Sequence, residues 1–146
     1  MNFLDSLAIS SSGLSAQRLR MNLISSNMAN VNTTRTETGE PYKRKDVIFE
    51  AAQTRGFKEV LDERLGEGAG GVKVARVIED NKPFVEKYDP GHPDADENGY
   101  IRLPNVNIVE EMVNMISASR SFEANATAVR ATKDMTAIAL EIGKTS

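Results

Sequence analysis

The sequence predicts an α+β fold in which helices at the two ends pair as an antiparallel coiled coil and a small β-rich segment lies between them. Three observations support it. Apolar residues recur at alternating steps of four and three near both ends, the middle lacks this spacing, and four short runs in the middle have strand character. Termini that pair in this way leave the middle displayed elsewhere, which is more typical of a building block than of an enzyme.

The first helix is predicted from about Phe3 to Met28. Its stripe is broken at two positions and consists of Phe3, Leu7, Ser10, Leu14, Gln17, Met21, Ile24, Met28 and Val31. The run from Ser10 to Gly13 forms helix poorly, since Gly alone costs about 1 kcal/mol relative to Ala. Packing must therefore stabilise it, and its small residues let another backbone approach closely. The helix is expected to end within 27–34, where Asn and Thr side chains compete for backbone hydrogen bonds.

The last helix is predicted from Ile108 to Ile142, a length of about 50 Å at 1.5 Å per residue. Asn107 and Glu110 resemble a capping pair, and Gly143 is the expected stop. The stripe follows Ile108, Met112, Met115, Ser119, Phe122, Ala126 and Val129, then moves to a neighbouring face through Ala128, Ala131, Met135, Ile138 and Ile142. Each stripe predicts a helix that buries one narrow face against another helix.

The middle of the chain has the character of strands and turns. The predicted strands are 46–50, 72–78, 84–88 and 100–103, with a turn at 80–83 and a glycine-rich loop at 66–71. The expected division is a terminal helical domain made of residues 1–32 together with 105–146, and a middle domain made of residues 33–104.

Composition limits the function classes. The 146 residues are 40% hydrophobic and 5% aromatic with no Trp, so we expect a small core with extended helices. A net charge of −3 gives no reason to expect binding to nucleic acid or to an anionic membrane. Cysteine is absent, and no window approaches the roughly 20 apolar residues of a membrane span, so direct membrane insertion is not expected. The N-terminus lacks the features of a cleavable signal peptide, so any export would need another route.

Three patterns resemble ligand motifs, and each has a simpler interpretation. Gly66, Gly68 and Gly71 match the spacing of a dinucleotide-binding loop, but the strand follows this loop when it should precede it. Residues 94–99 match the first half of a calcium loop, yet the twelfth position is Asn105 in place of a bidentate Glu, which favours a polar turn. His92 is the single histidine and has no second nitrogen or sulfur ligand for zinc. We therefore predict no catalytic residue, cofactor or metal site.

Several longer motifs are recognisable. Residues 14–22 read LSAQRLRMN and residues 27–36 read NMANVNTTRT, and both resemble the N-terminal signature of flagellar rod proteins. Residues 39–45, 88–101 and 103–112 resemble blocks of the proximal-rod members, and 118–125 resembles the C-terminal helix motif of rod and hook proteins. The chain thus resembles the flagellar rod and hook axial family along most of its length, mainly excepting 51–87. Met28 departs from the leucine that the family often has, and both suit an apolar position.

This resemblance implies a structural subunit of the bacterial flagellar basal-body proximal rod, part of the drive shaft that transmits torque from motor to hook. It implies that the terminal helices form the inner tube and that the middle forms an outer domain. The implied location spans the periplasm, reached through the flagellar type III export apparatus without cleavage of a signal peptide. The implied partners are copies of itself, other proximal and distal rod proteins, the inner-membrane-ring adaptor and that apparatus.

The stripes and the resemblance together predict an assembly interface. Its residues are Leu7, Leu14, Met21, Ile24, Met28, Asn30, Met112, Met115, Phe122, Ala126, Val129, Met135 and Ile138. An alternative from another class is a soluble coiled-coil adaptor whose middle segment binds a small ligand or a cation. Sedimentation separates the two, because an adaptor should form a defined oligomer in dilute solution and a rod subunit should be largely monomeric.

Overall fold

The computed structural model describes residues 3–52 and 70–144. The elements, in chain order, are α1 (Phe3–Ala29), β1 (Lys45–Ala52), β2 (Gly71–Glu79), β3 (Val85–Tyr88), β4 (Tyr100–Leu103) and α2 (Ile108–Lys144). The predicted α+β class is confirmed, with one long helix near each end and the strands between them. Gly66 and Gly68 of the predicted glycine-rich loop lie outside the described residues.

Helix α1 ends one residue beyond the predicted end, and the reason is the one expected. The Asn30 side chain donates from Nδ2 to the Ser26 carbonyl at 2.8 Å, and the Asn30 amide donates to the same oxygen at 3.1 Å. Thr33 Oγ1 in turn donates to Asn30 Oδ1 at 3.2 Å. After Asn30 the backbone changes to tighter turns, because the Val31 amide donates to the Met28 carbonyl at 3.4 Å and the Thr33 amide to the Asn30 carbonyl at 3.0 Å.

Helix α2 begins at the predicted residue. Asn107 Oδ1 accepts from the Val109 amide at 3.0 Å and from the Glu110 amide at 3.5 Å, which is the geometry of an N-cap. The prediction that Gly143 stops the helix is wrong, because α2 continues to Lys144. A glycine stop needs a left-handed backbone, and the described glycines with positive φ are Gly39 and Gly99.

The strands form two small sheets. β1 pairs with β2, and β3 pairs antiparallel with β4 in a register that sets Val85 opposite Leu103 and Tyr88 opposite Tyr100. The two tyrosine rings meet edge to face with centroids 5.3 Å apart. All four predicted strands are confirmed within one to two residues at their ends. The predicted turn after β2 is also present, with the Lys82 amide donating to Asp80 Oδ1 at 3.0 Å.

The chain divides into two compact units. The first unit comprises the described residues of 1–19, 49–75 and 118–146, and the second those of 20–48 and 76–117. Buried apolar side chains among the described residues are few: Ala16 and Ala118 in the first unit, and Ile24, Tyr42 and Ile101 in the second. This agrees with the small core expected from composition. In the described part of the chain, neither helix combines the length and the apolar content needed to cross a membrane.

Candidate assembly interface

On α1 the predicted interface residues lie towards the interior. Ile24 is buried, and Leu7, Leu14, Met21, Met28 and Asn30 are half-buried. The exposed residues of α1 follow their own alternating steps of four and three, and they are Leu4, Ala8, Ser11, Ser15, Arg18, Asn22, Ser25 and Ala29. Apart from Leu4, the solvent-facing stripe of α1 is therefore small or polar.

On α2 the inner stripe is not the one predicted. Its least exposed residues follow Glu111, Met115, Ala118, Phe122, Asn125, Val129, Thr132 and Thr136. Met115, Phe122, Ala126 and Val129 are half-buried, whereas the other large apolar residues of the predicted stripe are exposed within the subunit, and their use between subunits stays a prediction. Met112 is 49% exposed, Met135 64% and Ile138 58%. Apolar periodicity misled the prediction because small and polar residues occupy much of the inner stripe.

Large apolar side chains of α2 are consequently left in solvent. We call Ile108, Val109, Met112, Val113 and Ile116 the start patch, and Met135, Ile138 and Ile142 the end patch; Leu140 is also exposed but lies on the opposite side of the helix. The start patch belongs to the second unit and the end patch to the first. Groups of exposed apolar residues of this size mark sites of protein association more often than free surface.

Two glycines in the first unit explain why α1 contains a run of weak helix formers. A Cβ on Gly13 would lie 3.0 Å from Asn125 Nδ2, and a Cβ on Gly71 would lie 2.9 Å from Ser12 Oγ. Ser12 Oγ accepts from the Val72 amide at 3.0 Å and donates to the Ile9 carbonyl at 2.7 Å. The expectation that small residues here permit close approach is confirmed.

A polar cluster lies at the end of α1 in the second unit, centred on Asn27, which is fully buried. Asn27 Nδ2 donates to the Lys45 carbonyl at 2.8 Å, and Asn27 Oδ1 accepts from the Lys45 amide at 2.9 Å. The Tyr42 hydroxyl also donates to Asn27 Oδ1, at 3.0 Å. The asparagine side chain thus bonds to the backbone of β1 much as a neighbouring strand would.

The same cluster contains a buried charge. Glu111 is fully buried, and its Oε2 accepts from Asn27 Nδ2 at 2.9 Å. Its Oε1 accepts from Arg44 Nε at 2.9 Å, while Arg44 Nη1 donates to Asp46 Oδ2 at 2.8 Å. Asn105 Oδ1 accepts from the Arg44 amide at 2.9 Å. Each group in this cluster therefore has a partner with good geometry.

The two carboxylate neighbours shift the titration of the cluster. Burial lowers the pKa of Arg44, but hydrogen bonds to Asp46 and Glu111 outweigh it and leave the pKa above its ordinary value. Burial raises the pKa of Asp46, but the hydrogen bonds from Arg44 and from the Val47 amide lower it by more. The pKa of Asp46 therefore lies below its ordinary value. The raised pKa of Arg44 and the lowered pKa of Asp46 both favour the charged forms, as expected for an ion pair.

Sequence reasoning missed this cluster. It placed Asn27 in the segment where α1 was expected to end, and it predicted no contact between Asn27, Arg44 and Glu111. One available signal was position, because Asn27 lies three residues after Ile24 and Glu111 lies four residues before Met115. Both are therefore on the inner stripes of their helices, where an unpaired polar side chain is costly.

The segment that resembles a calcium loop is held as a turn. Asp96 Oδ1 accepts from the amides of Asn98 at 2.9 Å and Tyr100 at 2.8 Å. Asp94 Oδ2 accepts from Thr34 Oγ1 at 2.7 Å. These carboxylate oxygens are engaged with protein donors that build the turn leading into β4, which favours the interpretation as a polar turn.

The chain matches two family models and several characterised relatives. Residues 7–35 match the family described as flagella basal body rod protein, and residues 97–142 match flagellar basal body rod FlgEFG protein C-terminal. Flagellar basal-body rod protein FlgC of Borreliella burgdorferi is 45% identical, with 97% of this chain and 98% of the relative covered. FlgC of Bacillus subtilis is 45% identical and FlgC of Salmonella typhimurium 41%, each with 99% of this chain and 100% of the relative covered. The chain therefore belongs to the FlgC family of flagellar basal-body rod proteins.

Proposed function

We infer that this chain is a non-enzymatic structural subunit of the flagellar basal-body rod, and that within the proximal rod it helps to transmit torque from the motor to the hook. Its near full-length similarity to proteins named as rod subunits supports this inference. The structural observation that carries it is the pair of apolar patches on α2, since Met112, Met135 and Ile138 are all about half exposed or more. A subunit that acts by assembly needs such faces, because covering them drives association.

We propose that α1 and α2 pair antiparallel and form the inner tube of the rod. Within the first unit Gly13 lies beside Asn125, and within the second Asn27 bonds to Glu111. Each unit thus contains its own contact between α1 and α2, which supports the proposed pairing of the two helices. In this scheme residues 1–32 and 105–146 act as the helical domain, and residues 33–104 as the outer domain.

The predicted interface residues then have two roles. Ile24, Met115 and Phe122 lie inside the subunit and act by holding its helices in place. The exposed Met112, Met135 and Ile138 meet neighbouring subunits, where full burial of such a side chain contributes about 1.5–3 kcal/mol. The remaining half-buried positions of α1 and α2 contribute to both. Because the outer stripe of α1 is polar and α2 carries the apolar patches, α2 supplies most of the apolar contacts to neighbouring subunits.

The neighbours that suit this role are copies of the chain, other proximal and distal rod proteins and the inner-membrane-ring adaptor. We propose that the chain reaches the periplasm through the flagellar type III export apparatus and without a cleaved signal peptide. Narrow helices with a small core suit such a route, because a subunit of low stability unfolds readily for passage through a channel.

The experiment is complementation of a strain that lacks its own copy. Met112→Asp and Ile138→Asp should each be synthesised and soluble but should abolish swimming and rod assembly, because a charge cannot be buried unpaired at an apolar interface. Thr127→Asp, which places the same charge at an exposed polar position of α2, is the control and should swim. Normal swimming of both patch variants would contradict the proposed surface. A defined small oligomer of the purified chain in sedimentation would instead favour the adaptor alternative.

A further inference from the structure

We propose that the cluster of Asn27, Tyr42, Arg44, Asp46 and Glu111, here called the polar joint, fixes one arrangement of α1, α2 and the start of β1 in the second unit; Asn27, Tyr42 and Glu111 are buried, and the Asp46 side chain is 42% exposed. We propose further that rod assembly requires this single arrangement. The inference rests on the proposed function as a rod subunit and adds a positioning role for residues that face no neighbour. Its main members, Asn27 and Glu111, are fully buried within the described structure.

The hydrogen bonds of the polar joint are compatible with one register. Asn27 bonds at once to the amide and the carbonyl of Lys45 and to the Glu111 carboxylate. A slip of α2 by one helical turn would move Glu111 by about 5.4 Å, which exceeds hydrogen-bond reach. The carboxylate would then remain buried without Arg44 and Asn27, which is a strongly disfavoured state. Alternative registers are therefore penalised by the joint.

In this unit, apolar packing alone does little to favour one register of α2 over another. Among its described residues the buried apolar side chains are Ile24, Tyr42 and Ile101, and of these Ile24 is the one on a helix. Large apolar residues of α2 in this unit, such as Val109 and Val113, are 69% and 62% exposed, and Met115 is half-buried, so little of the apolar surface of α2 is buried here. Directional hydrogen bonds therefore determine the register of α2, which the few buried apolar side chains do not determine.

Arg44 links the parts of the joint because of its shape. Its Nε donates a hydrogen bond to Glu111 and its Nη1 donates one to Asp46, while its backbone amide donates to Asn105 Oδ1. A planar guanidinium holds two acceptors in fixed directions, whereas a lysine ammonium has the same charge without this fork. Arg44→Lys therefore separates the role of charge from the role of geometry.

Buried ion pairs commonly add little net stability and in some proteins specify one structure among several. The joint should behave in this way. Replacing all three central groups by apolar side chains, in the variant Asn27→Leu/Arg44→Met/Glu111→Leu, removes both buried charges together and should leave the chain folded, although the Lys45 backbone and Asp46 lose partners. The same variant should lose uniqueness of register, because leucine and methionine pack acceptably in several positions.

The test uses the full chain in a strain lacking its own copy, with swimming and the presence of the chain in purified basal bodies as readouts. The triple variant should fold and yet fail to enter basal bodies. Arg44→Lys should fold and should also assemble poorly. Arg35→Lys, at an exposed arginine of the same unit, is the matched control and should assemble normally.

The outcomes separate cleanly. If the triple variant or Arg44→Lys enters basal bodies and swims like the wild type, the positioning role is overturned. If the triple variant fails to fold, Arg44→Lys alone decides the matter in the same way. If the wild-type chain itself is absent from basal bodies, the proposed function fails and not merely the inference about the joint.

Discussion

Arg44 donates from Nε to the fully buried Glu111 at 2.9 Å, and the two residues are 67 positions apart in the chain. This bond connects the first turn of α2 to the segment that leads into β1. Asn27, near the end of α1, bonds to the other oxygen of the same carboxylate at 2.9 Å. Three segments that are remote in sequence therefore converge on one charged group in the second unit.

Removing Arg44 should destabilise the second unit strongly. In Arg44→Met the Glu111 carboxylate stays buried and loses its charged partner, a change that typically costs about 3–5 kcal/mol. The control is Arg35→Met, since Arg35 has a side chain 71% exposed and lies 3.9 Å from Asp94. Exposed pairs of this kind contribute about 0–1 kcal/mol. Chemical denaturation of the purified chain measures both, and equal losses would contradict the importance of the buried pair.

Stability should fall in acid partly through Asp46. Because the pKa of Asp46 is lowered in the folded chain, its contribution is present above the unfolded-state pKa of about 4 and is lost as pH falls through the folded-state pKa. Asp46→Asn should therefore be less stable than the wild type at neutral pH, and the two should converge in acid. Asp134→Asn, at an exposed position of α2, controls for the loss of one charge. Denaturation curves at several pH values test this, and a constant difference between wild type and Asp46→Asn would contradict it.

Gly13 should resist replacement although it lies in a helix. Alanine normally favours a helix over glycine by about 1 kcal/mol, but here its Cβ would lie 3.0 Å from Asn125 Nδ2. Gly13→Ala should therefore lower the melting temperature, and combining it with Asn125→Ala should relieve much of the loss. Gly143→Ala is the control, because that helical glycine has open space around it and should gain stability. A higher melting temperature for Gly13→Ala alone would show that Asn125 moves aside without cost and would contradict this prediction.

Gly99 and Gly39 separate backbone strain from crowding. Both have φ of 80°, a conformation that disfavours alanine by about 1–2 kcal/mol. A Cβ on Gly99 would also lie 3.0 Å from the Tyr88 ring, whereas one on Gly39 would meet nothing within 4 Å. Gly99→Ala should therefore lower stability more than Gly39→Ala in thermal unfolding. Equal effects would mean that the turn before β4 relaxes freely.

Much of the fold could be predicted from sequence because its signals are local. The N-cap at Asn107, the asparagine-rich end of α1 and the strand-forming runs of the middle act over a few residues, and the structure has each of them. The inner face of α2 could not be predicted in this way. Which stripe a helix buries depends on distant partners, and here Glu111 and Asn125 meet Asn27 and Gly13.

The candidate interface shows the same limit. Apolar spacing and the family resemblance placed Met112, Met135 and Ile138 in the predicted assembly interface, but spacing alone does not say which side of a helix faces the subunit and which faces a neighbour. The family resemblance rests on residues 14–22, 27–36 and 88–112, and these motifs by themselves indicate a protein that acts by assembly. The polar joint carries no short motif of its own, since its members are separated by most of the middle segment.

The most direct measurement of the central claim is an image of the assembled basal body in which this chain is traced with side chains. We expect α1 and α2 to run antiparallel in the inner tube, and we expect Met112, Met135 and Ile138 to lie within about 4.5 Å of apolar atoms of neighbouring subunits. The Asn27–Glu111 hydrogen bond of 2.9 Å should be retained in every copy. A traced chain whose start and end patches face solvent in the assembled rod would contradict the account.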